Sequence, residues 1–138
     1  MFGASHSPAA IFVIPDGDVA ALISAINTAN TNGEEDTIEL APNGNYTLLE
    51  PAELCFRTGL PYLGPDTGGT LTIHGNGARI SRDSGNPNNF RIFEMSNGNF
   101  AFSDLIIGGG SAVEMDPCWG NPMGGAIFMY YANLTVTR

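Results

Sequence analysis

The side chains that could share acid–base or charge chemistry on one surface are Asp104, Glu114, Asp116, Arg79, Arg82, Arg91 and His74. General acid–base cleavage of a glycosidic bond needs two such groups converging on one cleft. None of the spacings is a catalytic signature. Asp104 follows Ser103 at a chain corner, where a short acceptor satisfies turn backbone. Glu114 and Asp116 fall in a glycine-rich loop, where carboxylates are usually solvated. His74 ends a strand before Gly75-Asn76-Gly77, which favours a turn hydrogen bond over a catalytic base. Asp16-Gly17-Asp18 and Glu34-Glu35-Asp36 offer oxygen ligands, so Ca²⁺ is the one cofactor weighed. Neither run has the ligand count of a calcium loop, and helix capping accounts for both better. His6 and His74 stand too far from other ligands for zinc, and Gly108-Gly109-Gly110 lacks the Lys and strand–helix setting of a phosphate loop. The sequence thus predicts no catalytic, cofactor-binding or metal residues.

Cys55 and Cys118 are the only cysteines. Both fall in expected loops, and two loops leaving neighbouring turns on one side could be stapled. A disulfide enclosing roughly 60 residues would contribute on the order of 4 kcal/mol in the chain-entropy model and would fit an oxidising, extracellular location. Two unrelated free thiols are the alternative. Beside the cysteines, Tyr62 and Trp119 either form an aromatic platform for sugar or a neighbouring subunit, or anchor their loops.

The elements that must position these groups are short strands. Residues 90–110 carry apolar residues in alternating pairs, Phe100 with Phe102 and Leu105 with Ile107, which is a strand period. Ala126-Ile127-Phe128-Met129 echoes Arg91-Ile92-Phe93-Glu94, and Asn133-Leu134-Thr135-Val136 echoes Asn99-Phe100-Ala101-Phe102. The first echo reads as an offset of about 35 residues and the second about 34, which implies one deletion between copies. Thr70-Leu71-Thr72-Ile73 followed by Ala78-Arg79-Ile80 has the same strand–corner–strand shape. Strands recurring every 30-odd residues with Asn and Gly corners predict a β-solenoid. Leu71, Ile73, Ile80, Ile92, Phe100, Phe102, Leu105, Ile107, Ile127, Leu134 and Val136 are its expected core.

Upstream, Ile11-Phe12-Val13-Ile14 is the first expected strand, ended by Pro15. Asp16 or Asp18 caps a helix carrying Val19, Leu22, Ile23, Ile26 and Ala29 on one face, closed by Asn32-Gly33. This helix is expected to cover an end of the strand array. Thr37–Leu40 and Tyr46–Leu48 are strands around a Pro42-Asn43-Gly44-Asn45 turn. Residues 50–69, with Pro51, Pro61 and Pro65, read as a long loop thrown outward; residues 83–89 and 108–125 are further loops. Residues 1–10 read as a flexible arm and 11–138 as one domain, continued or completed by a partner after Arg138.

Composition narrows the partners. Net charge is −9, with no lysine and only five arginines. Binding to nucleic acid is therefore disfavoured, and no stretch is long and apolar enough for membrane insertion. Charged residues make up only 14% of the chain, so its polar surface is built from neutral hydrogen-bonding groups suited to turns and stacked corners.

Residues 20–30, Asp36-Thr37-Ile38, Tyr46-Thr47-Leu48 and Leu71-Thr72-Ile73-His74-Gly75-Asn76-Gly77-Ala78-Arg79-Ile80 resemble the N-terminal cap and first coils of pectin-lyase-like right-handed parallel β-helix proteins. The similarity is to the type that begins large bacterial secreted and surface proteins. Those often carry a Cys-Ser-Leu-Arg-Glu-Ala-Ile segment where this chain has Ala-Ala-Leu-Ile-Ser-Ala-Ile. The resemblance implies an all-β, right-handed parallel β-helix with an N-terminal capping α-helix. The functional expectation is an extracellular or cell-surface structural solenoid: an adhesin, stalk or fibre subunit, self-assembling end to end. The alternative is the N-terminal part of a polysaccharide lyase or hydrolase. Partners are expected to be copies of itself, further coils, or surface glycans. The expected interaction surface is Ile11, Phe12, Val13 and Ile14 at one end, Ile127, Phe128, Leu134 and Val136 at the other, with Tyr62 and Trp119.

Overall fold

In the computed structural model of the protein, the described residues are 9–55, 57–64, 69–111 and 124–138. They form β1 (Ala10–Ile14), α1 (Val19–Ala29), β2 (Asp36–Leu40), β3 (Asn45–Leu48), β4 (Thr70–His74), β5 (Arg79–Arg82), β6 (Phe93–Ser96), β7 (Asn99–Ser103), β8 (Ile106–Gly108), β9 (Ile127–Tyr130) and β10 (Asn133–Thr137). Every strand pairing between these elements is parallel. The strands make a five-stranded sheet in the order β1-β2-β4-β7-β10, a three-stranded sheet β3-β5-β8 and a two-stranded sheet β6-β9.

This corrects the expected all-β, right-handed parallel β-helix. A uniform solenoid would place equal numbers of strands in every sheet, whereas the strands here form three small sheets of five, three and two. The cause lies in the connections. Between β1 and β2 the chain makes helix α1 instead of a strand. Between β3 and β4, residues around Pro61 make only isolated bridges, Thr58 to Arg91 and Leu63 to Met95. β8 is only three residues long and runs into glycines.

Within the stretch 50–69, residues 58–63 are also not thrown outward as expected. Residues 58–63 lie along β6, with Gly59, Leu60 and Leu63 N–H groups donating to the Arg91, Ile92 and Glu94 carbonyls. Leu60, Leu63 and Thr58 are fully buried. Proline removes a donor and fixes φ, so this stretch pairs at single points rather than as a ladder.

The core follows from side-chain alternation. In-register residues stack into inward columns: Phe12, Ile38, Ile73, Phe102 and Val136, and beside them Leu71, Phe100 and Leu134. Facing them, Tyr46 pairs with Ile80 and Ile80 with Ile107. Each fully buried Leu or Ile contributes about 1.5–3 kcal/mol. Leu71, Ile73, Ile80, Ile92, Phe100 and Phe102 are buried as expected, while Leu105, Ile107, Ile127 and Leu134 are only partly buried against the core. Val136 is 67% exposed, because β10 pairs with β7 alone among the described strands and nothing described lies beyond it.

Helix α1 starts where Asp18 accepts a hydrogen bond from the Ala21 N–H at 2.9 Å, satisfying one of the orphan donors of the first turn. It packs Leu22, Ala25, Ile26 and Ala29 into the core. Tyr46, fully buried, ties the same region together: its hydroxyl donates to the Ile14 carbonyl and accepts from the Ala41 N–H, both at 3.0 Å. Burial pushes its phenol pKa up.

Corners between the two larger sheets use left-handed residues: Asn43, Asn76 and Asp104 have φ of 53°, 52° and 47°. Asn and Asp tolerate this conformation best after glycine. Successive corners hydrogen-bond, with the Asn43 N–H donating to the Asn76 carbonyl and the Gly77 N–H to the Asp104 carbonyl, both 2.9 Å.

Candidate functional site

The outward face of the five-stranded sheet is polar. One in-register row runs Val13, Glu39, His74, Ser103 and Thr137. Within it, His74 Nδ1 lies 2.6 Å from Glu39 Oε1. Asn76 Nδ2 donates to Glu39 Oε2 at 3.1 Å and to the Leu40 carbonyl at 2.9 Å. The Asn76 hydrogen bond, then that of His74, holds the Glu39 carboxyl below its ordinary 4.5. An ionised carboxylate only accepts, so Nδ1 is the donor in this contact. Ser103 follows on the next strand, giving the order carboxylate, imidazole, hydroxyl.

That order alone does not make an acyl-transfer site, which also needs N–H donors aimed at the developing oxyanion. Two backbone donors beside Ser103 are already used. Gly75 N–H goes to the Ser103 carbonyl at 2.7 Å, and Asp104 N–H to the Thr137 carbonyl at 3.0 Å. Glu39 and His74 form a surface pair that Asn76 pins in place.

Its electrostatics give a pH dependence. A carboxyl whose pKa falls on folding stabilises the folded state at pH above its unfolded value, and that contribution is lost as pH drops through the folded pKa. The Tm gap between wild type and Glu39→Gln is expected to be fully open above pH 4.5 and to close as the solution is acidified further. Thermal melts across a pH series check it; a constant gap would remove Glu39 as a linked group.

The other candidates drawn from the sequence scatter among the described residues. Asp104 is a corner residue, as its position suggests. Arg82 braces the loops, donating to the carbonyls of Gly109, Asn86 and Asn88. Arg91 is wholly buried, with its guanidinium 5.3 Å from the Phe128 ring centroid. Asp16 accepts from the Asn45 N–H at 2.8 Å, and Asp36 accepts from Asn32 Nδ2 at 2.7 Å. These acids are held by backbone and amide donors, and no group of three or more His, Cys, Asp or Glu suited to a metal occurs among the described residues. Glu114, Asp116, His6, Cys118 and Trp119 lie outside the described residues. Cys55 is disulfide-bonded.

Tyr62 serves as an anchor. Its hydroxyl hydrogen-bonds Ser96 Oγ, and its carbonyl accepts from Asn30 Nδ2 at 2.6 Å. Of the expected interaction surface, Ile14 is buried, Phe12 packs on the core, and Ile127, Phe128 and Leu134 are partly buried, while Ile11, Val13 and Val136 stand out in solvent. Ile11–Ile14 is also already paired in register with Thr37–Leu40 of its own chain. A shallow cleft of about 370 Å³ is lined by Glu50, Pro51, Leu54, Arg57, Asn88 and Asn89; its one acid and one arginine both come from the connection between β3 and β4, and the two asparagines from the connection between β5 and β6.

Sequence reasoning passed over the aromatic pair Tyr130–Tyr131. Their ring centroids lie 4.5 Å apart, with the residues 45% and 80% exposed. The signal was present in the repeat. Ser96 pairs in register with Tyr130, so Tyr131 occupies the corner that Asn97 occupies one turn earlier. Both corner residues are left-handed, with φ of 52° and 49°.

In comparisons with known proteins, no family model, no curated protein and no solved structure matches this chain.

Proposed function

We propose that this protein is an extracellular or cell-surface structural element, an adhesin, stalk or fibre subunit, that associates end to end with copies of itself. The observation that most supports this reading is a pair of matched edges on one sheet. Among the described residues, β1 and β10 are the outer strands of the same all-parallel five-stranded sheet, each five residues long. In a parallel ladder, alternate residues bond to the same neighbour. The Asn133 N–H donates to the Gly98 carbonyl, on the β7 side, so Leu134 and Val136 present their N–H and C=O groups outward. At the other edge the Ala10 N–H donates to the Glu35 carbonyl, so Ile11 and Val13 present theirs. No proline or lysine interrupts either strand to blunt it. Addition of β1 of one copy to β10 of another would continue the sheet in the same direction. Because the two surfaces differ, the contact would propagate as a filament unless a ring closed.

The disulfide at Cys55 fits an oxidising compartment. Cys118 is the proposed partner, and a non-reducing peptide map identifies it.

The test is Val136→Pro. Proline there removes an outward N–H and puts its ring on the edge, while the bonds of Asn133, Thr135 and Thr137 to β7 stay. Sedimentation velocity and electron microscopy are expected to find concentration-dependent linear assemblies for the wild type and monomers for the variant. Strictly monomeric wild type at high concentration, or undiminished assemblies from Val136→Pro, would reject the reading.

A further inference from the structure

We propose that Tyr130 and Tyr131 form a stacking platform for a ring of a neutral glycan. This goes beyond edge-to-edge assembly and does not depend on it. The corner at Tyr131 is an energetic anomaly. A left-handed corner is comfortable for Asn and costly for a bulky aromatic residue. The preceding turn fills the corner with Ser96 and Asn97, and Ser96 is buried. The last turn fills it with two tyrosines, keeps the left-handed φ at Tyr131, and leaves that ring 80% exposed. Strain held at an exposed side chain points to a use for that side chain.

The surroundings select the ligand. Next to the rings, the chain supplies amides: Asn133 Nδ2 donates to Asn99 Oδ1 at 3.1 Å, and Asn97 Nδ2 to Ser96 Oγ at 3.0 Å. Exposed amides beside two tilted aromatic rings match a molecule with an apolar C–H face and a rim of hydroxyls, which is a pyranose. Tyrosine suits this role because it presents a rigid apolar body with a polar tip. Nucleobases also stack on aromatic rings, but a chain of net charge −9 without lysine repels a phosphate backbone. Anionic glycans are disfavoured by the same charge. A neutral glycan remains.

The experiment is affinity electrophoresis of the full chain in native gels containing a neutral polysaccharide, with separate gels for dextran, galactomannan and a mixed-linkage β-glucan, and polygalacturonate as the anionic comparison. Retardation by at least one neutral polymer, and none by polygalacturonate, is expected. Tyr131→Asn restores the residue of the preceding turn. It should weaken binding about tenfold while raising Tm by about 2–6 °C through relief of backbone strain. Tyr131→Phe should retain most of the binding. Running every variant in the Val136→Pro background keeps failure of assembly separate from failure of glycan binding. No retardation of the wild type by any neutral polymer, or equal retardation of Tyr131→Asn, overturns the proposal. So does a lower Tm for Tyr131→Asn, which would make the ring a structural anchor. Loss of self-association by Tyr131→Asn made in the otherwise unaltered chain, with glycan binding intact in the Val136→Pro background, would make the pair a contact between copies, and would also overturn it.

Discussion

Truncating Phe102 to Ala is expected to cost about 3–5 kcal/mol. Phe102 is 2% exposed and sits in the inward column between Ile73 and Val136. Its ring centroid lies 4.9 Å from that of Phe93, so one side chain joins the five-stranded sheet to the two-stranded one. The substitution removes the aromatic surface and the ring pair together, and neighbours held in two different ladders are poorly placed to close the gap. The same change at Val136, one rung further along the column and 67% exposed, should cost well under 1 kcal/mol in the isolated chain. Urea titrations of the two variants check the contrast. Comparable losses would mean that the column does not determine stability as its burial indicates.

Where side chains alternate between core and solvent, the sequence was readable. β2, β4 and β7 each bury every second residue, all apolar except Asp36, and a period of two assigns faces without further information. The register of β6 was not readable in this way. All four of its residues, Phe93 to Ser96, are buried, and its partner β9, Ile127-Phe128-Met129-Tyr130, is apolar or aromatic throughout. With no polar position in β9 to set its phase against Phe93-Glu94-Met95-Ser96, the pattern does not separate an offset of 35 from 34. The pairing is Phe93 with Ile127, one residue from the expected match of Ile92 with Ile127. It agrees with the pairing of Asn99 with Asn133, so no deletion separates the copies.

The architecture was over-read for a related reason. Repeats in sequence report that strands recur, but not that every turn contributes a strand to every sheet. The helix α1 and the proline-bearing stretch before β4 each take the place of a strand. What results is three sheets of unequal size around one core, rather than a regular solenoid. Buried Arg91 and Glu94 were similarly hidden, since charged residues are rarely buried.

The surface pair Glu39–His74 was within reach of the sequence. The two residues occupy matching positions at the ends of β2 and β4 and are in register, but neither strand alone marks the other as its neighbour. Tyr131 was less accessible. Its significance depends on a positive φ, and only the comparison with Asn97 makes that φ visible as a cost.

Gly75→Ala is expected to destabilise the fold by about 3 kcal/mol, a large effect for one methyl group. Gly75 lies at the corner between β4 and β5, where its N–H donates to the Ser103 carbonyl at 2.7 Å. A Cβ added there would run into the Asp104 carbonyl oxygen and come within 2.7 Å of Leu105 Cα. These are backbone atoms of the next turn, so no side-chain rotation can relieve the overlap. The turns would have to separate, which lengthens the Gly75–Ser103 bond and disturbs the pairing of His74 with Ser103 beside it. Gly85→Ala is the control, because its Cβ would meet only Asp83 Oδ2, at 3.7 Å. At such an unstrained site alanine narrows the unfolded ensemble and should stabilise by about 0.4–1 kcal/mol. Chemical denaturation of both variants, with the Glu39–His74 contact followed through the His74 ring resonances, distinguishes the cases. A Gly75→Ala protein as stable as wild type would show that the turns are not as close as the corner geometry requires.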